Sequence, residues 1–168
     1  MTEAGRTAPL NRPSVLFVCT ANRIRSPLAA ALFRNDLLRE GLPLDRWRVN
    51  SAGTWVQEGM PSPEEVIQAS FARGLDLRKH RSQKINEGLL SSHKLILVME
   101  QGHKEALSHV FPHHAGRVFM LSEMSNATEE IKDPPSVTPS DIEKLLDQIS
   151  LLIEKGMPRI LLLAHGNL

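Results

Sequence analysis

The residues best suited to chemistry lie in the stretch VLFVCTANRIRSP, residues 15–27. Cys19 is the only cysteine in the chain of 168 residues, and it is followed by Arg25 and Ser26 at the end of a short polar loop. A thiolate is a strong nucleophile, and a guanidinium can bind two phosphate oxygens at once through its planar fork of donors. The spacing therefore predicts a site in which Cys19 attacks a phosphate group held by Arg25.

The residues of this loop could wrap around a tetrahedral oxyanion. Backbone N–H groups can converge on the anion, and the N-terminus of a following helix adds about half a positive charge. The same field favours the thiolate, so we expect Cys19 to be mostly deprotonated. In-line attack would then give a covalent phosphocysteine, with the Ser26 hydroxyl placed to stabilise the sulfur as a leaving group. The predicted phosphate-binding residues are Thr20, Ala21, Asn22, Arg23, Ile24 and Ser26.

Hydrolysis of a phosphoester also needs an acid that protonates the leaving oxygen and can later deprotonate the attacking water. Asp133 in the segment KDPPS is the candidate, since it lies in a loop stiffened by Pro134 and Pro135. A turn aspartate is an equally good local interpretation of this residue.

The other residues also have plainer interpretations. A lone cysteine after an apolar strand is most often a small buried hydrophobe, and a lone arginine is most often part of a surface ion pair. The pattern C-x5-R-S recurs by chance, so its weight depends on a strand before it and a helix after it.

Patterns typical of strands and helices alternate along the chain. Apolar runs of strand length cover residues 14–19, 93–100 and 116–121, and Trp47 and Val49 alternate with polar neighbours as in a further strand. Helices are predicted from Ser26 to Gly41, over residues 63–73 and 102–111, and from about Pro139 to Lys155. This order predicts an α/β fold with a mostly parallel sheet covered by helices on both faces. Ligands bind beyond the carboxyl ends of the strands in such folds, where Cys19 falls.

Composition bounds the organisation and the partners. The length suits one domain, with residues 1–13 predicted as a flexible tail and residues 14–168 as the folded part. A net charge of +1 without any basic and aromatic patch argues against a nucleic-acid or membrane partner. A single cysteine excludes an internal disulfide, so we expect a cytoplasmic protein. The sequence leaves open whether residues 157–168 form an extra strand or a docked apolar tail, and it does not indicate an oligomeric state.

The stretch VLFVCTANRIRSPLAAALF resembles the phosphate-binding loop of the bacterial type of low-molecular-weight protein tyrosine phosphatases, and the pair Asp133-Pro134 is similar to that family's general-acid loop. The segments VNSAGT, HRSQ and LILVME also resemble family segments, so that the similarity covers roughly residues 15–155. It implies a single three-layer domain with a four-stranded parallel sheet. It also implies a nucleophile at Cys19, a phosphate binder at Arg25 and a general acid and base at Asp133.

The resemblance assigns Asn22, Ser51 and His80 to a hydrogen-bonded support of the loop. The sequence departs from the family at Ile24, where most members have a second cysteine, and at Arg23, which adds a cation beside the pocket. The chain has no tyrosine, although the family often has tyrosines that wall the pocket after the acid. Trp55 is a candidate for one wall, although it could equally lie in the core.

The sequence thus predicts a phosphomonoester hydrolase, specifically a protein tyrosine phosphatase, that acts on a phosphorylated protein or a small phosphoester without a cofactor. A protein arginine phosphatase of the same fold and a non-catalytic phosphate-binding module are the alternatives. We predict no metal site, because the histidines of SHVFPHH have no acidic or thiol partner nearby in the sequence.

Overall fold

Four parallel strands form the centre of the protein, whose computed structural model describes residues 11–167. The strands are β1 (Ser14–Cys19), β2 (Arg48–Gly53), β3 (Leu95–Val98) and β4 (Val118–Met120). They lie in the order β2-β1-β3-β4, and every neighbouring pair is parallel. The predicted four-stranded parallel sheet is confirmed.

The helices of the described chain are α1 (Arg25–Arg39), α2 (Glu64–Phe71), α3 (Glu87–Ser91), α4 (Gln101–Val110) and α5 (Pro139–Ala164). Short 3-10 helices cover Leu44–Arg46, Pro112–Arg117 and Leu121–Ser125. The sequence did not predict α3, because five residues are too few to show a helical period. The Asn86 side chain caps this helix by accepting a hydrogen bond from the Leu89 N–H.

Helices cover both faces of the sheet because β1 is buried on both sides. Val15 and Phe17 belong to a core cluster that includes residues of α1 and α5, whereas Leu16 and Val18 belong to a second cluster with residues of α3 and α4. Each fully buried leucine or phenylalanine contributes about 1.5–3 kcal/mol relative to an exposed one. The result is the predicted three-layer α/β domain.

The C-terminal segment is neither a strand nor a separate tail. Helix α5 continues past Lys155 and through Pro158 to Ala164, and it buries Met157, Ile160 and Leu163. Within residues 11–167, no helix is both long and apolar enough to cross a membrane.

The predicted N-terminal tail is described only in part, since residues 1–10 lie outside the described residues, as does Leu168. The residues before β1 contact the folded part. The Arg48 N–H donates to the Pro13 carbonyl at 3.0 Å, and Lys94 Nζ donates to Asn11 Oδ1 at 2.7 Å. The predicted flexibility of residues 1–10, which lie outside the described residues, stays a prediction.

The sheet order places a crevice beside the end of β1. Within the sheet, β2 lies on one side of β1 and β3 lies on the other side. The chain therefore reverses its direction across the sheet between β2 and β3. Loops that leave neighbouring strands in opposite directions open a crevice at the carboxyl ends of those strands, which here are β1 and β3.

Candidate active site

Cys19 ends β1, and its sulfur is enclosed by residues of the following loop, which we call the 19–25 loop. The side chain is 2% exposed, and the Asn22 N–H donates to Sγ at 3.3 Å. Ser26 Oγ lies 3.0 Å from the same sulfur, from the first turn of α1. Both contacts are local, because Asn22 and Ser26 follow Cys19 by only three and seven residues. The Cys19 sulfur therefore contacts one backbone N–H donor and one hydroxyl group.

Asn22 holds the shape of the 19–25 loop. It is fully buried and has a φ of 56°, a left-handed conformation that is rare for a residue other than glycine. Its Nδ2 donates to Ser26 Oγ at 2.8 Å and to Ser51 Oγ at 2.9 Å, and its Oδ1 accepts from the Gln83 N–H at 3.0 Å. These bonds stabilise a backbone turn that aims the Asn22 N–H at the sulfur.

His80 supports the same turn from behind. Its Nε2 donates to the Asn22 carbonyl at 2.7 Å, so that this nitrogen carries a proton. Burial lowers the pKa of His80 more than this hydrogen bond raises it, and the cations Arg34 and Arg81 lower it further. The structure thus brings Asn22, Ser51 and His80 together in one hydrogen-bonded group.

Arg25 lies at the base of the site with its side chain 1% exposed. Its Nη1 donates to Glu100 Oε2 at 2.6 Å and to the Ile131 carbonyl at 2.8 Å, and its Nη2 lies 3.4 Å from Thr20 Oγ1. A buried guanidinium is stable only when such partners compensate its desolvation. Glu100 and the Ile131 carbonyl therefore anchor one edge of the guanidinium.

Asp133 lies over the other edge of Arg25. Its Oδ1 is 3.0 Å from Arg25 Nε, but the Nε–H is not directed at this oxygen and makes no hydrogen bond among the described residues. The Asp133 side chain is 71% exposed. The Ile131 N–H donates to the Met99 carbonyl at 2.8 Å and anchors this loop to the end of β3. Asp133 is thus a solvent-facing carboxylate in contact with a buried cation.

Two polar residues of the site have no assigned role in the sequence analysis. Glu100 binds Arg25, and its backbone N–H donates to His103 Nδ1 at 3.1 Å, which leaves His103 Nε2 to donate to Thr20 Oγ1 at 2.8 Å. Burial lowers the pKa of His103, and the nearby Arg25 cation lowers it further. Glu100 lies two residues after the end of β3, the neighbour of β1, and this position is the signal that could have identified it.

Burial opposes the ionisation of Glu100, but hydrogen bonds from Arg25 and Lys132 outweigh it and hold the pKa of Glu100 below its usual value. Lys132 Nζ donates to Glu100 Oε1 at 2.9 Å. Glu100 is therefore an ionised carboxylate shared between a buried and an exposed cation.

The remaining loop residues have different environments. Arg23 is half-buried, and its Nε donates to the Pro61 carbonyl at 2.9 Å. Ala21 is exposed, and Ile24 packs against the main core cluster. The loop thus combines an apolar contact at Ile24 with a surface cation at Arg23.

The two tryptophans have different environments. Trp47 is 7% exposed and stacks edge-on against Phe33, whereas Trp55 is 81% exposed. The Trp55 N–H donates to the Thr20 carbonyl at 3.0 Å, so the backbone of Trp55 is joined to the 19–25 loop. A core position is therefore excluded for Trp55, which is placed beside the loop with most of its surface exposed.

Among the histidines of the segment SHVFPHH, His114 makes local contacts. His114 Nε2 lies 2.6 Å from Glu87 Oε1, and His114 Nδ1 contacts Arg117. Across residues 11–167, no three His, Cys, Asp or Glu side chains converge as they would around a metal ion.

Comparison with known proteins decides the family. The profile of the family described as low molecular weight phosphotyrosine protein phosphatase matches residues 14–162. The chain belongs to this family. The predicted family and the predicted class, a phosphoric monoester hydrolase, are both confirmed, and Cys19 and Arg25 lie in the region where the family has its phosphate-binding loop.

Relatives in this family are named for different activities. The chain is 33% identical, over 88% of its length and 95% of the relative, to a probable low molecular weight protein-tyrosine-phosphatase EpsP from Ralstonia nicotianae. It is 31% identical, over 84% of its length and 97% of the relative, to a protein-arginine-phosphatase from Bacillus subtilis. The crystal structure of a low molecular weight protein tyrosine phosphatase from T. tengcongensis superimposes with a TM-score of 0.80 at 30% identity, covering 87% of this chain and 98% of that one.

Proposed function

We propose that this chain is a protein tyrosine phosphatase that works through a phosphocysteine intermediate, with Cys19 as nucleophile, Arg25 as phosphate binder and Asp133 as general acid and base. The observation that carries the proposal is the convergence of these residues. The Cys19 sulfur accepts from the N–H of Asn22, and Arg25 Nη2 lies 3.4 Å from Oγ1 of Thr20, the residue after Cys19. Arg25 Nε in turn lies 3.0 Å from Asp133 Oδ1. Each of the three side chains has the chemistry that one step of phosphoester hydrolysis requires.

The reaction proceeds in two displacements. In the first, Cys19 Sγ forms a bond to phosphorus as the bond to the phenolic oxygen breaks, and the Asp133 carboxyl gives its proton to that oxygen. In the second, a water forms the new P–O bond and gives a proton to the Asp133 carboxylate, while the S–P bond breaks. The products are the phenol, inorganic phosphate and the thiolate. Backbone N–H groups of the 19–25 loop and the Arg25 guanidinium stabilise the charge on the equatorial oxygens.

The hydrolysis of an aryl phosphate tests the proposed roles. We expect the wild type to turn over, Cys19→Ser to be inactive, and Asp133→Asn to retain a small fraction of the activity. A rapid acid quench of the wild type should trap phosphate on Cys19, as measured by mass spectrometry. An inert wild type would support the non-catalytic phosphate-binding module, and an active Cys19→Ser would contradict the assignment of the nucleophile.

A protein arginine phosphatase is the second candidate, favoured by the similarity to the protein-arginine-phosphatase from Bacillus subtilis. Two features of this chain support phosphotyrosine instead. The exposed face of Trp55 beside the loop can pack against a phenol ring, and the Arg23 cation disfavours the approach of a second guanidinium.

A comparison of kcat/KM for matched phosphotyrosine and phosphoarginine peptides ranks the two substrates. We expect a higher kcat/KM for the phosphotyrosine peptide. In Arg23→Gln, we expect the ratio of the two kcat/KM values to be smaller than in the wild type. A preference of the wild type for phosphoarginine would select the second candidate. Since a nucleophilic thiol must stay reduced to work, the role of Cys19 supports a cytoplasmic location, which is part of the proposal.

A further inference from the structure

A cavity of about 260 Å³ lies behind the 19–25 loop, between α1 and residues 76–83. It is large compared with the roughly 10–15 Å³ that a single water needs. Pro27 and Ala30 of α1 form part of its wall, and His80 forms another part. The cavity is therefore separate from the site that the 19–25 loop forms around Cys19. It shares His80 with the hydrogen-bonded group that supports this loop.

The charges that line this cavity, which we call the α1 cavity, are mostly positive. Arg34, Lys79 and Arg81 contribute cations, and Asp76 contributes a carboxylate. Asp76 is already paired, because its Oδ1 accepts from Arg78 Nε at 2.9 Å and its Oδ2 accepts from Arg78 Nη2 at 2.8 Å. These bonds lower the pKa of Asp76 to about 2. The carboxylate of the cavity is thus committed to an arginine outside the lining.

The two arginines of the lining have only backbone partners in the described part of the chain. Arg34 Nη2 donates to the Val49 carbonyl at 2.5 Å, and Arg81 Nη1 donates to the His80 carbonyl at 2.7 Å. No ion pair joins either arginine or Lys79 to a carboxylate within residues 11–167. Arg34 is half-buried, and burial lowers its pKa. A partly buried, uncompensated positive charge is stabilised by an anion.

We propose that the α1 cavity is a second oxyanion site, which binds inorganic phosphate through Arg34, Lys79 and Arg81. A guanidinium fork matches the oxygens of a tetrahedral oxyanion, and two such forks beside a lysine supply the charge that a phosphate dianion needs. The site is distinct from the one at Cys19, and the proposal does not depend on turnover.

His80 couples this site to the 19–25 loop. His80 lines the α1 cavity, and its Nε2 donates to the carbonyl of Asn22. An anion in the cavity offsets the positive charge of Arg34 and Arg81 and so favours the imidazolium form of His80. A charge-assisted hydrogen bond is about twice as strong as a neutral one, so the bound anion stiffens the turn at Asn22. His80 is thus a positioning residue through which the second site acts on the first.

Nuclear magnetic resonance of the His80 imidazole tests anion binding directly. Alkylation of Cys19 with iodoacetamide modifies the only thiol and blocks the 19–25 loop, after which inorganic phosphate is titrated at constant pH and ionic strength. We expect a saturable shift of the His80 signals and no comparable shift of His113, which lies outside the cavity lining. The absence of a saturable His80 shift would overturn the proposal, whether or not the native enzyme is active.

Three variants test which residues bind the phosphate that shifts the His80 signals. In Lys79→Gln/Arg81→Gln, which changes exposed residues only, we expect the phosphate midpoint to rise about tenfold or more, equivalent to about 1.4 kcal/mol or more. In Ala30→Glu the new carboxylate should occupy the cavity, move the His80 signals toward their phosphate-bound positions and abolish the titration. Lys155→Gln removes an exposed cation of α5 and should behave as the wild type. An unchanged midpoint in the double variant would contradict the assignment.

A phosphorylated side chain presents the same oxyanion as free phosphate. Titration with a short phosphoserine peptide, on the same alkylated protein, distinguishes these two sources. Saturation by inorganic phosphate at equal or lower concentration supports the free anion. Saturation by the peptide alone overturns it.

Discussion

Arg25 Nε lies 3.0 Å from Asp133 Oδ1, so the buried cation at the base of the site contacts the exposed carboxylate at its mouth. The Nε–H is buried and has no hydrogen-bond partner in the structure described here. A phosphate oxygen that enters the 19–25 loop can accept from this donor. In the proposed reaction, this anion takes the place of Asp133 beside Arg25, and the Asp133 carboxyl is then available to the leaving group.

Asp133→Asn should lower kcat by about 10²- to 10⁴-fold, because an amide cannot protonate the leaving oxygen. The loss should be larger for phenyl phosphate than for 4-nitrophenyl phosphate, whose leaving group needs less protonation. The same substitution removes the carboxylate beside Arg25, so inorganic phosphate should inhibit the variant more strongly. Steady-state kinetics with both esters measures these effects.

Glu129→Gln, which neutralises an exposed carboxylate earlier in the same loop, is the control for the Asp133 experiment. It should keep both the rate and the leaving-group dependence of the wild type. An equal loss for the two esters in Asp133→Asn would argue against general-acid catalysis by this residue.

Glu100→Gln should lower kcat/KM by about tenfold or more, because Arg25 loses the charged partner that orients it and a charged hydrogen bond of this kind contributes about 1.5–3 kcal/mol. Denaturant unfolding should show a loss of stability of similar size. Glu130→Gln is a matched control, since Glu130 also pairs with Lys132 but has no contact with Arg25. Equal activity losses in the two variants would show that orientation of Arg25 is not the cause.

The stability that Glu100 supplies should depend on pH. Its pKa is held below the ordinary value of 4.5, so the folded state favours the carboxylate more than the unfolded state does. The stabilisation is therefore complete above about pH 4.5 and is lost as the pH falls through the lower, folded-state value. The difference in free energy of unfolding between wild type and Glu100→Gln should be constant near neutrality and shrink in acid. A difference that grows in acid would have the wrong sign.

Asn22→Gly separates backbone conformation from hydrogen bonding. Glycine adopts the φ of 56° without strain, but it cannot bond Ser26, Ser51 or the Gln83 N–H. Leaving such buried groups unpaired costs about 1–3 kcal/mol each, so we expect a large loss of aryl phosphatase activity. Asn126 also has a positive φ, of 58°, outside the site, and Asn126→Gly should leave activity unchanged. Wild-type activity in Asn22→Gly would show that the side-chain bonds are dispensable.

Oxidation of Cys19 should be difficult to reverse. The chain has no second thiol that could trap a sulfenic acid as an internal disulfide, so oxidation proceeds to sulfinic and sulfonic acids. After graded peroxide treatment, we expect weak recovery of activity by a thiol reductant, with the oxidation state followed by mass spectrometry. Ile24→Cys introduces a thiol five residues after Cys19 and should increase the recovery of activity. Full recovery of the wild type would contradict the prediction.

The sequence alone determined the segment from β1 to α1. The apolar run, the 19–25 loop and the helix that follows are contiguous, so the proximity of Cys19, Arg25 and Ser26 depends on a few local dihedral angles. The alternation of strands and helices likewise predicted a parallel sheet, because the hydrophobic periods of the two elements differ. Local hydrogen bonding and periodicity are properties that a sequence displays directly.

Tertiary structure decided which distant residues meet this segment. Arg25 pairs with Glu100, and the α1 cavity is lined by residues of α1 together with His80, so both features join parts of the chain that are far apart in sequence. The packing of distant elements also decides that Trp47 is buried and Trp55 is exposed. Such contacts depend on the order of the strands and the packing of helices across the sheet. Periodicity states which face of an element is buried, but not which other element covers it. For that reason the proposed nucleophile could be predicted from the sequence, whereas the partners of Arg25 were identified only in the folded protein.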